Sequence, residues 1–140
     1  VTHPEWWPAL VSSVQQHEGC RLKPYRDTVG KLTIGWGRNL DDVGVTQAEA
    51  DAMLAHDLDG VWREALAAWP WLRTQSGGRQ AVIAEMAFNL GVPRLRGFHR
   101  MLGAMMQGHY GVAADEMLDS RWHQQVGARA RTLAARMRRG

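Results

Sequence analysis

The chain has 140 residues, 45% of them apolar, with seven Trp and seven Met, which suffices for one compact domain with a real core and excludes a disordered chain. Its single cysteine, Cys20, excludes an intrachain disulfide and a cysteine-based zinc site, and fits folding in a reducing compartment. Charge is uneven: residues 1–85 carry 8 basic and 11 acidic side chains and residues 86–140 carry 9 and 3, so the C-terminal part is expected to face something anionic.

Thr2-His3-Pro4-Glu5 has the form of a capping box with proline in the first turn. Leu10, Val11, Val14 and Glu18 follow at helical spacing until Gly19 stops the helix, so a first helix is expected from Thr2 to Glu18. From Tyr25 to Trp36 the pattern changes to turn and strand chemistry: Arg26-Asp27-Thr28-Val29-Gly30-Lys31 reverses the chain, and Leu32 to Gly37 reads as a short strand of a β-hairpin or meander. Thr46-Gln47-Ala48-Glu49 is a second capping box, opening a long helix whose apolar residues Leu54, Leu58, Val61, Trp62, Ala65 and Leu66 recur toward Trp69-Pro70, with Gly60 as a candidate bend. After Ser76-Gly77-Gly78, helices fit Arg79 to Leu90, Phe98 to Gln107, Tyr110 to Asp119 and Ala128 to Arg138. The result is an α+β chain, mostly helical, without internal repeats or a linker that would separate independent domains.

The stretch HEGCRLKPYRDTVGKLTIGWGRN, residues 17–39, places Glu18 in the last turn of a helix, where the macrodipole is negative and a carboxylate is mildly disfavoured. Asp27 sits in the turn that opens the hairpin. Each has a plain structural explanation, Glu18 as a solvated side chain and Asp27 as an Asx-type turn residue. Together, nine residues apart and beside Thr33 in a glycine-spaced strand, they suit glycosidic cleavage: one carboxyl gives a proton to the leaving oxygen while an ionised one activates water or attacks carbon.

Glu18-Gly19, Leu22, Tyr25, Asp27-Thr28, Gly30 and Thr33-Ile34-Gly35 with Gly37 closely resemble the phage-type lysozymes, the endolysin muramidases of T-even and related phages. Met86-Ala87-Phe88-Asn89-Leu90-Gly91, Gly97-Phe98 and Ser120-Arg121-Trp122 extend the resemblance over nearly the whole chain. It implies a lysozyme-like two-lobed fold: a small β-containing lobe at about residues 19–60, a long connecting helix, and a helical lobe at about residues 61–140 joined by the N-terminal helix. It implies Glu18 as general acid, Asp27 as general base or electrostatic partner, and Thr33 as the residue positioning the attacking water. Gly35, Phe88, Asn89 and Arg129 would meet substrate, with Trp122 packed behind the cleft and Arg129 paired with Glu18. The expected activity is hydrolysis of the β-1,4 bond between N-acetylmuramic acid and N-acetylglucosamine in peptidoglycan, leading to host lysis, with no cofactor or metal.

Two departures stand out. The family has His directly after the second strand's glycine where this chain has Arg38, so an ion pair there is expected to become Arg38 with Asp57 on the long helix. The loop from Trp36 to Thr46 is short, which makes the small lobe minimal. A zinc amidase is argued against because His17-Glu18 lacks the second His of HExxH and His3, His56, His99, His109 and His123 form no ligand set. A Cys20 nucleophile has no orienting residue beyond His17. The arginines of the last helix leave a nucleic-acid-binding or non-catalytic wall-binding protein as rivals, and a lytic transglycosylase would act on the same bond. The expected partners are peptidoglycan glycan strands and, through the basic last helix, the anionic envelope, for a monomer with no specific nucleic acid partner. The N-terminus lacks a basic region followed by a continuous apolar run, so the expected location is the host cytoplasm, with holin-type release to the wall.

Overall fold

The computed structural model describes residues 1–140. Its elements run in chain order as α1 (Trp7–Glu18), β1 (Arg21–Arg26), β2 (Leu32–Gly35), β3 (Arg38–Asn39), α2 (Gln47–Ala68), a 3₁₀ turn (Pro70–Thr74), α3 (Gly77–Leu90), α4 (Val92–Leu95), α5 (His99–Met106), α6 (Tyr110–Leu118), α7 (Arg121–Val126) and α8 (Ala128–Arg139). This is the mostly helical α+β composition expected of a lysozyme-like fold. The chain divides into two compact units, Val1–Asp51 and Ala52–Gly140. No helix is long and apolar enough to cross a membrane.

In the first unit, α1 starts five residues later than the Thr2 capping pattern suggests. Pro8 decides this: inside a helix begun at Thr2 it would remove a hydrogen bond and clash with the preceding turn, whereas from Trp7 onward it lies in the first turn, where its missing N–H is harmless. The helix ends as expected at Glu18, where Gly19 takes φ +71° and donates its N–H to Gln15 O. The three strands form one antiparallel sheet in the order β1-β2-β3, with Tyr25 opposite Thr33 and Thr33 opposite Asn39, and an irregularity in β1 between Arg21 and Tyr25. The short β3 was not legible from propensity. Thr33 is the one buried residue of this unit, 3% exposed, while Trp6, Trp7, Leu10, Val11, Val14 and Trp36 are exposed.

Helix α2 runs through Gly60 as one helix of 22 residues, as the long-helix expectation had it. Its capping box forms reciprocally: Glu49 N donates to Thr46 Oγ1 at 3.1 Å and Thr46 N to Glu49 Oε1 at 2.8 Å. In the second unit, α8 packs against α6, α3 and α7, and α5 against α6. Ile83, Met86, Leu95, Met101, Met105, Met117 and Met137 close the core between them. Ser76 and Ser120 cap α3 and α7 through their hydroxyls. The three short elements at Pro70–Thr74, α4 and α7 lay below the length at which periodicity is readable.

Candidate active site

The reversal between β1 and β2 is built around Asp27. Its N–H donates to Lys31 O at 2.9 Å and its carbonyl accepts from Gly30 N at 3.0 Å, closing the turn. Its side-chain Oδ1 accepts from Val29 N at 3.0 Å and from Lys31 N at 2.8 Å. Asp27 is therefore also the Asx-type turn residue that propensity suggests, and the same bonds that make the turn fix the carboxylate. One carboxylate oxygen, Oδ2, is left without a protein donor. Thr33, buried in β2, donates its hydroxyl hydrogen to the same Lys31 carbonyl at 2.9 Å. Asp27 and Thr33 are thus brought together on the backbone of one residue, Lys31.

Glu18 lies at the end of α1, separated from β1 by Gly19 and Cys20. Gly37, in the tight turn between β2 and β3, has φ +85°, and a methyl group built on it would stand 2.7 Å from Glu18 Oε2. The carboxylate occupies the space a side chain at 37 would need. Gly35, at the end of β2, has φ +68°, so both glycines of the TIGWG run are required by backbone conformation as well. Glu18, Asp27, Thr33, Gly35 and Gly37 all belong to the first unit.

The loop after β3 is knitted by carboxylates. Asp41 Oδ2 accepts from Leu32 N at 2.8 Å, and Asp42 accepts from Lys31 Nζ at 3.1 Å and from Asn39 Nδ2 at 2.9 Å. Arg38 does not pair with Asp57. Its guanidinium grips both oxygens of Glu49, with Nη1 to Oε1 at 2.8 Å, and also donates to Gly44 O at 3.0 Å. Glu49 wins because the capping box already holds its carboxylate at the start of α2, two turns nearer to β3 than Asp57. The Arg38 guanidinium, with Thr46 adding to it, lowers the Glu49 carboxyl from its ordinary 4.5 to about 2, and Glu49 raises Arg38 in return.

The remaining expected residues lie on the second unit. Phe88 is 41% exposed on α3, which excludes a pure core role. Asn89, also exposed, accepts the Trp122 indole N–H on Oδ1 at 2.8 Å, and Trp122 is buried edge-on against Phe98 with ring centroids 6.3 Å apart. The structure gives Arg129 the partner Glu85, Nε to Oε2 at 2.8 Å, where the sequence reading paired it with Glu18. Glu85 is four residues from Asn89 on α3, a helical turn that sequence alone could have flagged as a carboxylate facing an arginine-rich helix. Sequence reasoning also missed a groove of about 700 Å³ in this unit, floored by Phe98 and Trp122 and edged by Arg94, Arg100, Arg121 and Glu116.

The phage lysozyme family model matches residues 15–139. The pre-baseplate central spike protein Gp5 of Enterobacteria phage T4 is 28% identical over 150 residues, covering 87% of this chain and 26% of that protein, so the chain spans about a quarter of that relative's length.

Proposed function

The chain belongs to the phage lysozyme family, a family of lysozyme-type glycoside hydrolases, and from that premise we propose that it hydrolyses the β-1,4 bond from N-acetylmuramic acid to N-acetylglucosamine in bacterial peptidoglycan. The observation that carries this reading is the joint anchoring of Asp27 and Thr33 on Lys31, beside a turn in which Gly37 leaves room for Glu18. In the proposed reaction a water oxygen attacks the anomeric carbon, the bond to the leaving oxygen breaks, and that oxygen takes a proton from Glu18. The attacking water gives up a proton to Asp27. The scheme inverts configuration, which requires carboxyls separated by ~6.5–9.5 Å to admit the water. NMR of the first-formed product would then show the α anomer, and a β product would exclude inversion.

Gly35, Phe88, Asn89 and Arg129 are proposed to meet the glycan. The groove over Phe98 and Trp122, with charges of both signs on its edge, suits the zwitterionic stem peptides of the wall. The exposed Arg131, Arg136 and Arg139 of α8 are proposed to draw the protein to anionic envelope. Replacing these three by Gln should weaken lysis of permeabilised cells at low salt and match the parent at 1 M, where the screening length is ~3 Å. Mass spectrometry of digested peptidoglycan tests the reaction itself: reducing muramic ends support it, 1,6-anhydro ends identify a transglycosylase, and freed peptides an amidase. Host lysis after holin-type release is the proposed setting. The spike relative favours a second, carriage on the phage particle, and detection of the protein in purified virions rather than in the free lysate would decide for it.

A further inference from the structure

Lys31 carries more of the candidate site than any side chain does. Its N–H donates to Asp27 Oδ1 at 2.8 Å, and its carbonyl accepts both the Asp27 N–H and the Thr33 hydroxyl, each at 2.9 Å. With Val29 N also on Oδ1 at 3.0 Å, that oxygen has both acceptor positions filled, and so has the Lys31 carbonyl. Three consequences follow from valence alone. Asp27 can accept from a reactant only through Oδ2. Thr33, its one hydrogen committed, can act toward a reactant only as an acceptor. A molecule held by both must therefore bring two hydrogens of its own, and its oxygen lone pair is then free for carbon.

Resting on the muramidase reading, we propose that the Lys31 backbone, through its N–H and its carbonyl, is a positioning element that selects water as the nucleophile. Water donates one hydrogen to Thr33 Oγ1 and one to Asp27 Oδ2. An alcohol has a single hydroxyl hydrogen and leaves one of the two acceptors unpaired. Hydrolysis is thereby favoured over transfer of the sugar to an alcohol, including the hydroxyls of neighbouring glycan. The Lys31 side chain takes no part in this selection, being turned away to Asp42.

The test is an amide-to-ester replacement at Lys31, made by incorporating the α-hydroxy analogue of lysine, which removes the N–H to Asp27 and keeps the chain's shape. With a soluble glycan oligomer in a fixed water–methanol mixture, the ester variant should show kcat down about tenfold or more with KM within about twofold, since orientation rather than binding is lost. The ratio of methyl glycoside to free reducing sugar should rise severalfold. A general loss of structure would lower both products together and leave that ratio unchanged. The same ester at Thr28, whose N–H makes no hydrogen bond, should reproduce the parent ratio, and Lys31→Pro removes the Lys31 N–H by ordinary mutagenesis should the ester variant fail to fold. A Lys31 ester or proline variant that folds and keeps the parent ratio overturns the proposal. A parent that cleaves no glycan overturns the muramidase reading and this one with it.

Discussion

The two units are held together by different physics. Val1–Asp51 has one buried residue, Thr33, and owes its shape to hydrogen bonds and ion pairs: the Asp27 turn, the Asp41 and Asp42 bonds, and the clasp of Arg38 on Glu49. Ala52–Gly140 is a packed body of methionine, leucine and alanine closed by α5, α6 and α8. The difference teaches why the proposed acid, base and water-positioning residue all sit in the first unit. A carboxylate is oriented by donors, which a polar-knit turn supplies and an apolar core does not. The second unit can supply a stable platform and binding surface, because its stability does not depend on the same bonds.

The largest expected effect breaks the first unit's chemistry without touching its architecture. Glu18→Gln keeps the side chain's shape against Gly37 but has no proton to give, so turnover should fall by ~10²- to 10⁴-fold or more while the thermal unfolding midpoint is retained. Activity above a tenth of the parent removes Glu18 from the role of acid. Asp27→Asn should also be severe, and a weak effect there would make Asp27 an electrostatic helper. In the second unit the reverse holds: Ile83→Ala, at a fully buried position, should cost about 2–5 kcal/mol of stability in denaturant titration and leave kcat of the remaining folded protein near the parent's.

A sharper contrast comes from two glycines. At Gly37 a methyl group meets Glu18 Oε2 at 2.7 Å on a backbone with φ +85°, so Gly37→Ala should lower both activity and stability. At Gly60, inside α2, a methyl group meets nothing within 4 Å, so Gly60→Ala should raise stability by about 1 kcal/mol and leave activity unchanged. Loss of activity in both variants would mean that α2 itself is part of the working site.

How much of this was legible follows the same division. Glu18, Asp27 and Thr33 were readable because their spacing, the turn chemistry and the glycines are local, and the Asp27 turn that supports them needs no more than five residues of chain. The longer helices were readable from period and caps, as the reciprocal Thr46–Glu49 bonds show. What escaped was non-local or competitive. Pro8 overrode a good capping pattern at Thr2, and Glu49 outcompeted Asp57 for Arg38. Glu85 took Arg129 across 44 residues of sequence. Partner choice among several charges of one sign depends on which carboxylate is already held in place, and sequence spacing does not carry that.

The Arg38–Glu49 pair makes the first unit sensitive to acid. Because folding lowers the Glu49 carboxyl, the pair's contribution is fully present above the ordinary 4.5 and is lost as pH falls toward about 2. Local proteolysis or hydrogen exchange around β3 and the start of α2 should therefore increase over that window. Glu49→Gln should raise exchange at neutral pH and flatten the dependence, whereas exchange in α5 and α6 should ignore the substitution. A parent-like acid profile in Glu49→Gln would assign the acid sensitivity to other carboxylates.

The smallest expected effect concerns Arg129 and Glu85, which are 38% and 45% exposed at the side chain, so solvent screens their attraction. Glu85→Gln should cost less than about 1 kcal/mol and leave glycan cleavage unaltered. If Arg129 works only as the partner of Glu85, Arg129→Gln should behave alike, and the double variant should be no worse than either single one, because the second change removes a group already without its partner. The proposed role of Arg129 toward the glycan predicts another outcome: Arg129→Gln lowers kcat on a small soluble glycan and Glu85→Gln does not. Activities measured over the four members of that cycle separate the two, because a purely structural pair leaves both single variants at the parent's activity, and only a second job lets Arg129 fall alone.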